Sequence, residues 1–144
     1  MSHYQHILLA TDFSKSCAHV VEKAREIATD CQSRGSLIHV VEYYQHEFNV
    51  DVYLPDLNLE QELIEQATAQ LKKVATEMEL ADAPQFIEVG SSKHEIVRVA
   101  DEQQCDLIIL GSHGRHGLAL LMGSTANGVL HHAPCDVLAV RIQE

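Results

Sequence analysis

Long apolar runs are missing from this chain of 144 residues. A transmembrane helix needs about eighteen such residues in a row, so none is expected. The opening MSHYQHILLATDFS carries no basic stretch before an apolar one and no small-residue cleavage site, so no signal peptide is read and a cytoplasmic place is the expectation. Positive charge is scarce. Ten Lys and Arg stand against 21 Asp and Glu, giving a formal charge of -11. Such a chain repels nucleic-acid backbones and anionic membranes at long range, and neither is an expected partner. Paired cysteines are also missing. Cys17, Cys31, Cys105 and Cys135 form no CxxC, so buried free thiols are expected rather than a redox or metal centre.

Several phosphate and nucleophile motifs are absent as well. There is no GxxxxGK[ST], and no lysine follows Lys93, which excludes a P-loop NTPase. No GxGxxG follows the first apolar run, which weakens a dinucleotide reading. No GxSxG exists, which disfavours an α/β-hydrolase. The residues offer no base-plus-nucleophile pair, so a slow ATPase is the most that catalysis would amount to.

What is present alternates. Ile7-Leu8-Leu9-Ala10, within Tyr4 to Ala10, reads as a short buried strand, followed by an Asp12-Phe13-Ser14 turn with Ser14 as helix cap. Cys17, Val20, Val21, Ala24, Ile27, Ala28 and Cys31 recur at helical steps. Ser36 to Val41 reads as a second strand. Tyr43 to Leu57 is irregular and holds Tyr43, Tyr44, Phe48 and Tyr53; it is either a lid or partner surface, or a loop packed over the core. Asn58 with Gln61 suggests a capping box before a helix marked by Leu63, Ala67, Leu71, Val74 and Met78. Gln85 to Val89 is a third strand. Ser92 with Glu95 suggests a second capping box, opening a helix with Ile96, Val97 and Ala100 inward. Asp106 to Leu110 is a fourth strand, Gly123 to His132 a fourth helix stopped near Pro134, and Asp136 to Val140 a fifth strand. Continuous apolar strands are buried on both faces. The chain is therefore read as one domain over 1–144, a parallel sheet covered by helices.

Ligands of such sheets sit beyond the carboxyl ends of the strands. Two such ends stand out, Ala10-Thr11-Asp12 and Gly111-Ser112-His113-Gly114. Five of the seven glycines lie between Gly111 and Gly128, where they let backbone approach a guest without a Cβ in the way. Gly123-Ser124-Thr125 then opens a helix, whose free N–H groups and dipole favour an oxyanion. No Asp or Glu occurs from Leu107 to Cys135, a stretch that holds Arg115 and four histidines. Asp12 stands where α/β enzymes place catalytic groups, but orienting the turn or accepting a ligand hydrogen bond is the simpler role. His113, His116, His131 and His132 lack the carboxylate or thiolate company of a metal site. His39 is read as a satisfied core histidine, and Glu60, Glu62 and Glu65 as solvated helix surface.

Gly111-Ser112-His113-Gly114, then Gly123-Ser124, then Ala133-Pro134-Cys135-Asp136-Val137-Leu138 resembles the signature of the universal stress protein family. His6 to Ser14 resembles its first strand and turn, and Ile38-His39-Val40-Val41 its second strand. The resemblance implies a five-stranded parallel fold of the adenine nucleotide alpha hydrolase-like type, in strand order 3-2-1-4-5. It also implies a homodimer formed through the last strand. For nucleotide-binding members it implies ATP or AMP, with Mg²⁺, as ligand. Carried over, Asp12 and Val40 flank base and ribose, while Gly111, Gly114, Gly123 and Ser124 hold ribose and phosphates. Ala10, Thr11, Ser112, His113, Arg115 and Thr125 complete the implied site. One departure stands out. Eight residues, Arg115 to Met122, separate Gly114 from Gly123, where the nucleotide-binding pattern has nine. A shift of one residue moves the cradle by a few Å, and members without ATP binding also exist. The two expected functions are therefore a nucleotide-binding stress-response regulator and a nucleotide-independent dimeric interaction protein.

Overall fold

A computed structural model describes residues 4–13, 17–42, 57–112 and 124–141. Five strands and four helices follow one another: β1 (His6–Ala10), α1 (Cys17–Cys31), β2 (Arg34–Val41), α2 (Leu57–Glu77), β3 (Gln85–Val89), α3 (Ser92–Glu102), β4 (Leu107–Gly111), α4 (Ser124–His132) and β5 (Asp136–Val140). All pairings are parallel and the order is β3-β2-β1-β4-β5. The aromatic segment from Tyr43 onward and Ser14 lie outside the described residues. No helix among the described residues is long and apolar enough to cross a membrane.

The pleat divides the apolar residues between two layers. Ile7, Leu9, Leu37, Leu107 and Ile109 face α1 and α2, meeting Val20, Val21, Ala24, Leu71, Val74 and Ala75. Leu8, Ala10, Ile38, Val40, Ile108 and Leu110 face α3 and α4, meeting Ile96, Val99, Ala100, Ala126 and Val129. This two-sided burial is why the strands read as unbroken apolar runs. Of the cysteines, Cys105 is buried and the other three are half-buried free thiols, so full burial holds for one of the four. Burial pushes the Cys105 thiol up to about 11.

The helix starts differ from the sequence reading. α2 already begins at Leu57, which puts Asn58 inside the first turn, and Gln61 bonds Glu65 instead of reaching back to a cap. Ser92 is not the cap of α3. Ser91 takes that place with extended backbone (φ -83°, ψ 125°) and makes no side-chain cap bond. The Ser92 hydroxyl donates to Glu42, just past β2. Glu95 is drawn to Arg98, whose guanidinium also holds Glu88 and Glu102.

Candidate ligand site at the strand ends

Two connections leave the middle of the sheet in opposite directions. From β1 the chain moves outward to β2 and β3; it then returns across to β4 and β5. The reversal lies between β1 and β4, and the crevice beyond their carboxyl ends is where open α/β sheets receive ligands. Ala10-Thr11-Asp12 ends β1, and Gly111-Ser112 ends β4 beside it.

The turn after β1 is locked from the α1 side. The Thr11 amide donates to the Ile38 carbonyl at 3.0 Å, extending the ladder with β2 by one step. The Thr11 hydroxyl accepts the Phe13 amide at 3.2 Å and lies 2.8 Å from Cys17 Sγ. His39 Nδ1 lies 2.7 Å from the Thr11 carbonyl, and a carbonyl only accepts, so this nitrogen carries the proton. Phe13 stacks on His39 with ring centroids 4.1 Å apart and planes at 25°. Its φ of 59° lies in the left-handed region, which a bulky residue enters only when its surroundings hold it there. Burial pushes the Cys17 thiol up, against the pull of the Thr11 hydroxyl. His39 is bonded, as the sequence suggests, but it is half-buried rather than part of the core. Sequence reasoning had not placed Phe13 and Cys17 in this clamp, because a φ and a cross-turn contact leave no pattern in residue order.

The other face is the open one. Ala10 and Val40 belong to the α3/α4 layer, and Asp12 stands in the turn just past the carboxyl end of β1. Ser112 follows the end of β4; it is buried, and its amide donates to the Val140 carbonyl at 2.8 Å. α4 also belongs to this layer and opens with Ser124, exposed, and Thr125, half-buried. Ala10 and Val40 thus lie on the sheet face that α4 covers through Ala126 and Val129, Asp12 and Ser112 follow the ends of β1 and β4, and Ser124 and Thr125 open α4. Thr11 turns its hydroxyl into the clamp, and its amide and carbonyl are both bonded, to Ile38 and His39. Gly111 is the last residue of β4. His113, Gly114, Arg115 and Gly123 lie outside the described residues. Chemically, the crevice joins a carboxylate at the β1 end to the amide-bearing start of a helix at the β4 end. The first suits hydroxyl or amino donors and the second suits an oxyanion.

Comparison with known proteins agrees with this frame. The model of the universal stress protein family matches residues 3–141. Universal stress protein A homolog 2 of Coxiella burnetii is 39% identical over 144 residues, covering 99% of each chain. The structure of the hypothetical protein MJ0577 superposes with a TM-score of 0.82 at 28% identity, over 98% of both chains. A universal stress protein crystallised in complex with cAMP superposes with a TM-score of 0.68 at 25% identity, over 96% of this chain and 98% of that one. With the family model spanning nearly all residues and a near-full-length relative at this identity, the chain belongs to the universal stress protein family.

Proposed function

We propose that this protein is a stress-response regulator that binds an adenine nucleotide, ATP or AMP, beyond the carboxyl ends of β1 and β4. The observation that carries the reading is the crevice beyond β1 and β4: Asp12 follows the end of β1, α4 covers the same sheet face as Ala10 and Val40, and no acidic residue occurs from Leu107 to Cys135. A structural relative in complex with cAMP supports the same ligand class. In this reading Ala10, Thr11, Asp12 and Val40 border base and ribose. Gly111, Ser112, His113, Gly114, Arg115, Gly123, Ser124 and Thr125 receive ribose and phosphates through backbone amides, hydroxyls and one guanidinium. Mg²⁺ enters with ATP as the counterion of its phosphates. Equilibrium binding of labelled ATP with Mg²⁺ tests it. Saturable binding that Gly114→Val abolishes is expected, and no saturable uptake at millimolar nucleotide overturns it.

A second reading rests on the eight-residue spacing from Gly114 to Gly123. A cradle shortened by one residue favours a dimeric interaction protein that works without nucleotide. Nucleotide released from freshly purified protein counts against this reading, and Gly114→Val then changes no partner interaction.

A further inference from the structure

The opposite end of the sheet holds a histidine that neither reading uses. His6, the first residue of β1, is only 6% exposed, and both of its ring nitrogens are occupied. Nδ1 lies 3.2 Å from the Gln103 carbonyl, in the turn between α3 and β4. Nε2 lies 2.6 Å from the hydroxyl of Ser36 on β2, which is 1% exposed. The carbonyl only accepts, so Nδ1 carries the proton and Ser36 donates to Nε2. The neutral ring is therefore the form these two partners fit. A second proton on Nε2 would meet the Ser36 proton head-on. The hydroxyl would have to turn and find another acceptor in a buried place.

The backbone around the ring is tied at the same point. Asp106 accepts the amides of Gln5 and His6, each at 2.9 Å, and its own amide donates to the His6 carbonyl at 3.0 Å. The Arg34 amide donates to the Gln5 carbonyl at 2.8 Å. The start of β1, the start of β2 and the α3–β4 turn thus meet on one imidazole. The charged groups that act on the ring are Arg34 from β2 and Asp106 from the turn. Arg34 opposes a charged imidazole and Asp106 favours one.

We infer that His6 is an acid-sensitive latch: a second proton on its ring breaks the fit with Ser36 and loosens the amino-terminal rim of the sheet where β1, β2 and the α3–β4 turn join. Burial first, then Arg34, sets the ring below the ordinary histidine value, against the pull of the Gln103 carbonyl and Asp106. The sign follows from linkage. The unfolded chain takes up the proton more readily than the folded one. The latch therefore contributes in full above about pH 6.5, and its contribution is lost progressively as the pH falls below that value.

Amide hydrogen exchange on the whole protein tests this, with rates corrected for intrinsic pH dependence. Between pH 7.5 and 5.5, protection of the amides of Arg34, His6 and Asp106 should fall by about fivefold or more, ahead of those in α1. In His6→Gln, neutral throughout, the same amides should show no such selective loss. An equal loss in His6→Gln overturns the inference. Should that variant not fold, the wild-type His6 ring resonances decide: titration below the free-histidine value supports the latch, and titration at or above it sinks it.

Discussion

A single missing Cβ sets the distance between α3 and α4, the two helices that cover one face of the sheet. A methyl group built on Gly128 of α4 would stand 2.6 Å from Lys93 Cδ and 2.9 Å from Lys93 Cβ on α3. The outer carbon could swing aside, but the Cβ is fixed to the α3 backbone, so the helices themselves must part. Gly→Ala inside a helix gains up to about 1 kcal/mol in propensity. Overpacking of this kind costs about 1–3 kcal/mol. We expect Gly128→Ala to be destabilising by about 1 kcal/mol, read as a lower urea midpoint at unchanged slope. A variant as stable as the parent would show that α3 and α4 separate at little cost. The same scale decides what could be read beforehand. Asp12 and Ser124 were legible as candidate site residues because strand ends and helix starts announce themselves in residue order, and Val40 only through the family resemblance. The His6–Ser36 pair was not, because nothing in a linear chain shows that two strand beginnings thirty residues apart will share a hydrogen bond.

The helix ends tell the same story one level up. α1, α2 and α3 all close in one way, with a residue in the left-handed region that is not glycine: Gln32 (φ 55°), Glu79 (φ 62°) and Gln104 (φ 55°). In each, the next amide reaches back five residues, from Ser33 to Ala28, Leu80 to Ala75 and Cys105 to Ala100, at 2.8–2.9 Å. This is the Schellman closure, which normally favours glycine at the turning residue. Replacing Gln32 and Gln104 with Gly removes the Cβ penalty but gives the unfolded chain more freedom. We expect a net gain of about 0.5 kcal/mol per site, seen as a raised thermal midpoint. A loss at both sites would mean that these glutamine side chains contribute more than their backbone strain costs. The helix bodies were legible from apolar residues at three- and four-residue steps, whereas these stops were not, since no glycine marks them. The starts misled for a related reason. Ser92 and Glu95 have the spacing of a capping box, but Glu42 claims the first and Arg98 the second. Glu42 arrives from fifty residues away, beyond the reach of a local motif.

For the whole molecule, the sheet has two edges, β3 and β5. β5 pairs only with β4 among the described residues, and Val137, Leu138 and Ala139 along it are half-buried, close to what a second copy would finish covering. The family resemblance implies that two chains pair through β5. Sedimentation equilibrium at micromolar protein should return twice the chain mass, and a monomer across that range would sink the expectation. The strand order 3-2-1-4-5 was legible through the family resemblance, since apolar runs alone specify a parallel sheet and not its order.

That order also governs how the protein comes into being. Of the five strands, the innermost is made first, yet its two neighbours arrive at very different times. β2 follows within some thirty residues, while Leu8 waits for Ile108. Until then one flank of β1, whose five residues are all buried in the finished fold, stays open in a nascent chain that already carries β2 and β3. Contacts so distant in sequence slow folding, and unpaired apolar edges invite association with other chains. A protein belonging to a stress family thus carries its own period of vulnerability during synthesis, ending only when the fourth strand slots in beside the first.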